Sequence, residues 1–489
     1  MKKGCVWLVG AGPGDAGLLT RKGERLLQTA DVVVFDRLVS EEILAMIPER
    51  TERIDVGKNA GHHKVPQERI NRILLEQAQA GKCVVRLKGG DPFLFGRGGE
   101  ELELLRENGV EFGVVPGITS AIAASAYGGI PVTHRDYCSS VHFITGHARA
   151  GKELSIDFEA LAGLKGTLVF LMGVSTAGQI AQGLLGAGMD PKMPTALIEN
   201  GTRPQQRTFV QPLRELGMAV EKQGIQSPAL IVVGQVCSLA GEFAWFERLP
   251  LKGKSFLVTR PESGGSRLAD GLRALGAAVT VHPCIRTTHL RPLSLPAEAE
   301  QSDLVIFTSA AGVRSYCDWL LENGRDMRAF AGKRIAVIGP ATAKALLEYG
   351  LRADFLPSVY SGQVLGEELL SSGFLKKEDH VLLLRTNLAS HDVTDCLQSA
   401  GIPYLDVPVY ETELLPGEWK ETYDCVTFTS RSCVEGFVSG LGEKRDRIRG
   451  QLALCIGEKT AQAAAEAGFC TVTSEEATIE SMLKKAAQL

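Results

Sequence analysis

Short apolar runs, many of them β-branched, alternate with amphipathic helical runs almost from one end of this chain to the other. "CVWLVG", "DVVVFD", "CVVRLK", "VHFITG", "TLVFLMG" and "PALIVVG" are examples. Runs this brief and continuous predict strands covered on both faces, so the alternation predicts α/β architecture with largely buried sheets. At 489 residues the chain is too long for one core, and several domains are expected. The rhythm breaks near Trp245–Lys254, "WFERLPLKGK", and restarts at the strand "SFLVTR". The main boundary is therefore expected at about Arg248–Gly253.

Beyond that boundary the chain repeats itself. "FTSAAGV" (Phe307–Val313) returns as "FTSRSCV" (Phe428–Val434), and "AVIGPATAKAL" (Ala336–Leu346) returns as "LCIGEKTAQAA" (Leu454–Ala464). Each pair runs from an apolar strand into a helix start, in the same order. The repeat predicts two similar α/β lobes facing each other, each offering Ser/Thr hydroxyls and helix N-termini to the gap. Ser309 and Ser430, from the repeated turns, are candidate substrate contacts on this ground alone.

Composition narrows the function. A net charge of −4 carries no nucleic-acid footprint. No apolar run approaches the roughly 18 residues of a membrane span. The N-terminus enters a strand without the cleavage region of a signal peptide. The 11 cysteines are scattered, with no CxxC and no Cys/His ligand set, so no metal is expected. A reducing cytosol suits such usage.

Two glycine-rich turns stand out in the first half. "GGDPFLFGRGGEE" (Gly89–Glu101) lies between a strand and a helix. It reads either as a long turn or as a ligand seat where missing Cβ atoms let backbone N–H groups come close. "VGAGPGD" (Val9–Asp15) also follows a strand, and a second strand ends at Asp36. That layout mimics a dinucleotide site, but the fingerprint needs Gly where Asp15 stands, and Pro13 interrupts the turn. A nicotinamide-linked oxidoreductase is thus disfavoured.

Seven turns in order, "VGAGPGD", "FDRLVS", "VGK", "GGDPFLFGRGGEE", "VPGITSA", "LMG" and "ENGTRPQQR", resemble those of the S-adenosylmethionine-dependent tetrapyrrole methylases. Among these the uroporphyrinogen-III C-methyltransferases match best, over residues 3–245, and the first domain is set at 1–247. The resemblance implies two α/β domains with the cofactor in the cleft between them, working as a homodimer. It implies cofactor contacts at Pro13, Gly89, Gly90, Asp91, Leu94, Thr119, Ser120, Met172 and Gly201. It implies a proton acceptor at Asp36 and a proton donor at Lys58. Lys58 reads equally as an anchor for a substrate carboxylate, because an ordinary lysine is a poor acid–base partner at neutral pH. Arg37, with Arg97, Arg203 and Arg207, is a further candidate for carboxylates of the substrate.

The second half carries the duplicated turns together with "YSGQVL", "VLLLRTN" and "VPVYET". This set resembles the uroporphyrinogen-III synthases over residues 253–489. The resemblance implies one discontinuous lobe, 253–287 plus 411–489, and a second lobe, 288–410. It implies hydroxymethylbilane as substrate and roles for Thr342, Tyr410 and Thr460, with Tyr410 the acid that assists loss of hydroxide. Together the halves imply a bifunctional cytoplasmic enzyme that makes uroporphyrinogen III, then methylates it at C2 and C7 to precorrin-2, toward sirohaem and cobalamin. A methyltransferase fused to a module that only binds tetrapyrrole stays open as the alternative.

Overall fold

A computed structural model of the chain describes residues 4–57, 65–147, 155–261, 266–291, 293, 295, 297–417 and 422–489. The chain divides into two compact units, Met1–Gly253 and Lys254–Leu489.

The first unit opens with β1 (Cys5–Gly10), β2 (Val32–Phe35), β3 (Glu52–Asp55), β4 (Cys83–Lys88) and β5 (Glu111–Val115). All pair in parallel, in the order β3-β2-β4-β1-β5. A parallel sheet is covered on both faces, which is why its strands are apolar almost throughout. Val6 and Leu8 face one core with Leu74 and Leu105, while Val9 faces another with Leu27 and Ile43. β1 and β4 are neighbours, yet the chain leaves them in opposite directions, toward β2 and β5. Such a switch point opens a crevice at the carboxyl ends of the strands.

The same unit contains a second sheet, β6 (Val141–Thr145), β7 (Thr167–Leu171), β8 (Pro194–Glu199), β9 (Arg207–Pro212) and β10 (Ala229–Val233). Its order is β6-β7-β10-β8-β9, and only β6 and β7 run parallel. The helix Ser120–Tyr127 packs Ala121 and Ala124 against Val169, Ile198 and Val232 of this sheet.

The second unit is built on one nine-stranded sheet. Its strands are β11 (Ser255–Pro261), β12 (Ala278–His289), β13 (Leu304–Phe307), β14 (Arg334–Val337), β15 (Val381–Thr386), β16 (Tyr404–Leu414), β17 (Cys425–Phe428), β18 (Leu452–Cys455) and β19 (Cys470–Thr473). The order is β14-β13-β15-β16-β12-β11-β17-β18-β19. Two long strands stitch the halves together. β12 runs parallel to β11 from Ala278, then antiparallel to β16 over Ile285–His289. β16 first runs parallel to β15 from Tyr404, then antiparallel to β12 over Tyr410–Leu414. The stretches "HPCIRTTHL" and "VPVYETELL" are thus where the chain passes from one half to the other. Each half has its own core, around Phe307 and Leu384 in one and Phe428 and Phe437 in the other. Among the described residues no helix is long and apolar enough to cross a membrane.

Two candidate active sites

In the first unit the turns after β1 and β4 are bonded to each other. The Ala11 N–H donates to the Lys88 carbonyl at 2.7 Å, and Gly12 and Gly90 exchange backbone bonds of 3.2 and 2.7 Å. The turn after β5 presses on both. A Cβ on Gly10 would fall 2.4 Å from the Gly117 Cα, and one on Gly117 would fall 2.2 Å from the Gly90 carbonyl oxygen. Three backbones meet in a seam that admits no side chain. Asp91 locks it: Oδ1 accepts from the Phe93 and Leu94 N–H groups at 2.8 and 3.0 Å, and Oδ2 from Gly117 N–H at 3.0 Å. Both oxygens are engaged by backbone, with lone pairs left for a ligand.

The loops of the two sheets close on this seam. The Asp15 N–H donates to Thr202 Oγ1 at 3.2 Å, and the Tyr127 hydroxyl donates to Asp15 Oδ2 at 2.6 Å. Arg203 Nη2 donates to the Leu38 carbonyl at 2.9 Å. Gly201 backs onto the helix Ser120–Tyr127, where an added Cβ would lie 2.3 Å from the Ala124 Cβ. Thr119 caps that helix, accepting from the Ala121 N–H at 3.3 Å, and Ser120 is its first residue. Pro13, Gly89, Gly90, Asp91, Leu94, Thr119 and Ser120 therefore share three adjacent turns. Met172, 49% exposed, stands on the turn after β7. Phe95, Arg97, Met172, Asn200 and Thr202 are the five non-glycine residues with positive φ among those described, and all five lie on these turns. Backbone strain of this kind gathers at functional sites.

Asp36 ends β2 at the same carboxyl side. Its Oδ1 accepts from the Leu38 N–H at 3.1 Å, and Oδ2 lies 3.5 Å from Arg86 Nη2. Arg37 is exposed. Arg97 is tied to Glu100 at 2.9 Å, and Arg207 to Glu199 with further bonds to the Gln223 and Gly224 carbonyls. Arg207 is thus engaged in holding the end of β9. Arg203 is held below the ordinary arginine range by burial, with Glu42 pulling the other way. Lys58 lies outside the described residues. Arg86, Lys88 and Glu101 were missed by sequence reasoning, while Gly10 and Gly117 were seen only as parts of "VGAGPGD" and "VPGITSA" and not as contacts of each other. For Arg86 and Lys88 the available signal was a pair of cations inside the apolar run "CVVRLK".

In the second unit the repeat is reproduced in backbone geometry. Ser309 has φ −160° and ψ 153°, and Ser430 has φ −163° and ψ 160°. Each caps a helix, Ser309 accepting from the Gly312 N–H at 3.0 Å and Ser430 from the Cys433 N–H at 3.2 Å. Gly339 and Gly457 likewise match, with φ −172° and −173°. Thr342 and Thr460 follow them as equivalent, buried residues. Tyr410 sits on β16 at the crossing between halves. Its ring belongs to the core around Phe307, and its hydroxyl lies 2.8 Å from Ser309 Oγ. An ion pair joins helix Asp392–Ser399 to helix Glu458–Ala467 on the other side, Asp392 to Lys459. Among the described residues no group of three His, Cys, Asp or Glu side chains is placed to hold a metal ion.

Comparison with known proteins matches both units. Residues 5–217 match the family described as tetrapyrrole (corrin/porphyrin) methylases, and residues 266–484 match uroporphyrinogen-III synthase HemD. A porphyrin biosynthesis protein HemD from Ruminiclostridium josui is 46% identical over 501 residues, covering 99% of this chain and 98% of that protein. The chain belongs to the tetrapyrrole methylases in its first unit and to the uroporphyrinogen-III synthases in its second. The methylase unit is 56% identical over 244 residues to siroheme synthase 2 of Cronobacter sakazakii, which covers 50% of this chain and 52% of that protein. A solved uroporphyrin-III C-methyl transferase from Thermus thermophilus, complexed with S-adenyl homocysteine, is 42% identical with a TM-score of 0.42, covering 47% of this chain and 92% of that one.

Proposed function

We propose that the chain is a bifunctional enzyme of tetrapyrrole biosynthesis. The synthase unit cyclises hydroxymethylbilane to uroporphyrinogen III with inversion of ring D. The methylase unit then transfers methyl groups from S-adenosylmethionine to C2 and C7, giving precorrin-2, toward sirohaem and cobalamin. The observation that supports the methylase half of this reading is the seam of Gly10, Gly90 and Gly117 at the switch point of a parallel sheet, and the synthase half is supported by the duplicated Ser309 and Ser430 turns beside Tyr410.

S-adenosylmethionine suits that seam. Backbone groups of the three turns are open to its polar edges, Asp91 keeps free lone pairs for an ammonium or hydroxyl, and Leu94 and Met172 offer apolar cover. When bound, it supplies an electrophilic methyl group on a sulfonium. The chain's own residues do the rest. Asp36 accepts or stabilises the proton that the attacked pyrrole must shed. Lys58 donates a proton or anchors a carboxylate. Arg37 and Arg203 anchor acetate and propionate groups.

In the synthase unit the substrate is a reactive bilane that closes unaided to the wrong isomer, so holding its shape matters most. Ser309, Ser430, Thr342 and Thr460 present hydroxyls and helix N-termini that suit carboxylates without adding bulky charge. Tyr410 donates the proton that helps hydroxide leave. Two further parts belong to this proposal. The methylase unit pairs as a homodimer, with the exposed Val210 and Met218 as surface for it, and the enzyme works in the cytoplasm.

The test is the full chain with hydroxymethylbilane and no methyl donor. Uroporphyrinogen III in excess of a no-enzyme control supports the synthase reading. The isomer ratio of the control would reduce this unit to a binding module.

A further inference from the structure

β4 places two cations, Arg86 and Lys88, on a face that the sheet buries. Their side chains are 4% and 6% exposed. They share one anion, Glu101 of the helix Gly98–Glu107, which has no exposed surface. Glu101 Oε1 accepts from Lys88 Nζ at 2.8 Å, Gln67 Nε2 at 3.1 Å and Arg86 Nε at 3.2 Å. Among the described residues its other oxygen, Oε2, is buried with no hydrogen-bond partner. A buried carboxylate so arranged is costly to a fold, and an apolar trio of the same volume would serve packing as well or better. Packing alone therefore does not account for the trio.

Arg86 is held at three points: Nε by Glu101, and Nη1 by the Leu87 and Val34 carbonyls at 3.0 and 3.4 Å. That leaves Nη2 facing Asp36 Oδ2. Burial holds Lys88 below the ordinary lysine range, Arg86 adds to this, and Glu101 opposes it. The remaining described charges nearby look elsewhere. Arg37 is exposed, and Asp55 at the end of β3 gives Oδ1 to the Gly57 N–H at 2.7 Å.

We propose that Glu101 and Lys88 are positioning residues for methyl transfer: they fix Arg86, and Arg86 fixes the Asp36 carboxylate at the mouth of the crevice. This rests on Asp36 serving in methyl transfer, as proposed above. Glu101 supplies the anion that lets two buried cations lie side by side. Without it Arg86 and Lys88 repel each other, and the guanidinium loses its aim.

The experiment is a mutant cycle in the full chain, reading kcat, KM for S-adenosylmethionine and thermal midpoint. The variants are Glu101→Gln, Lys88→Met, Lys88→Arg and Asp36→Ala, with Glu101→Gln and Lys88→Met each also combined with Asp36→Ala. Glu101→Gln and Lys88→Met are expected to lower kcat about 10-fold or more and leave KM within about 2-fold. Lys88→Arg recovers most of the loss. In the Asp36→Ala background neither change costs anything further, since the lost aim no longer matters. An equal loss with and without Asp36, or a fall in thermal midpoint alone, would overturn the proposal. If Glu101→Gln does not fold, the Met and Arg variants of Lys88 decide. Full turnover in Asp36→Ala alone would remove Asp36 from the chemistry and this inference with it. A slow Asp36→Ala with additive losses would remove only this inference.

Discussion

The Tyr410 hydroxyl lies 2.8 Å from Ser309 Oγ, and that same oxygen accepts the Gly312 N–H at the start of a helix. A tyrosine whose ring is packed in a core thus has its polar end tied to a helix cap in the duplicated turn. Burial raises the phenol above its ordinary value, while its bonds to Ser309 and Thr386 pull it down. The phenol is thus protonated at neutral pH, as an ordinary tyrosine would be, and the rise makes it a weaker acid, so donation must draw on its placement against the leaving hydroxide. Tyr410→Phe keeps the ring and removes the proton. It is expected to slow cyclisation and let more bilane escape to the non-enzymatic isomer, read as isomer ratio against time. Ser309→Ala should lower stability by about 1 kcal/mol through the lost cap.

Asp91 tests the seam from another side. Asp91→Ala would leave the N–H groups of Phe93, Leu94 and Gly117 without their partner. Affinity for S-adenosylmethionine should fall by about 1–3 kcal/mol, or roughly 5- to 150-fold. Titration calorimetry of the variant checks this. An unchanged Kd would mean the loop holds its shape without the carboxylate.

Gly117→Ala asks whether the close approach of three backbones is needed. The new Cβ would meet backbone atoms of Gly90 and Gly10, which have nowhere to move cheaply. We expect a loss of about 1–3 kcal/mol in stability, in line with overpacked cores, and a weaker cofactor titration. Calorimetric unfolding with and without S-adenosylmethionine measures both.

What was readable in advance follows from how local each feature is. The repeat around Ser309 and Ser430 is written in consecutive residues, and the backbone angles of the two turns differ by only a few degrees. The crossings at β12 and β16 followed only from the resemblance to the synthases, which implied one lobe in two segments, 253–287 and 411–489. The Gly10, Gly90 and Gly117 seam was half visible: "GGDP" announced a turn, but the approach of Gly117 is set by neighbouring strands far apart in the chain. Glu101 was not visible at all. In "GRGGEELELL" it looks like one more acid on a solvated helix face, and only the fold puts it under β4 beside Arg86 and Lys88. Asp91 was visible as a candidate ligand group, but its bonds to the Phe93, Leu94 and Gly117 N–H groups were not, because a sequence does not show which backbone amides a carboxylate will meet.

The thiols offer a check on the packing of both units. Burial pushes Cys237, Cys317, Cys425 and Cys455 up to about 12, while Cys470 is exposed. The thiolate is the species that attacks a disulfide reagent and expels its other sulfur, and at about pH 8 the four raised groups stay protonated and shielded. Cys470 should react quickly in the native protein, and those four only on unfolding, when all 11 cysteines titrate. Fast native reaction at Cys237 or Cys455 would contradict the packing described.

The central claim is that one chain runs two consecutive steps. Purified full-length protein is supplied with hydroxymethylbilane and S-adenosylmethionine together, and the tetrapyrroles are separated by isomer and by number of methyl groups over time. The account predicts transient uroporphyrinogen III followed by a dimethylated product of the same isomer series, with Asp36→Ala stopping the sequence at uroporphyrinogen III. Isomer composition equal to the no-enzyme control, or a type III product that gains no methyl group, would contradict it.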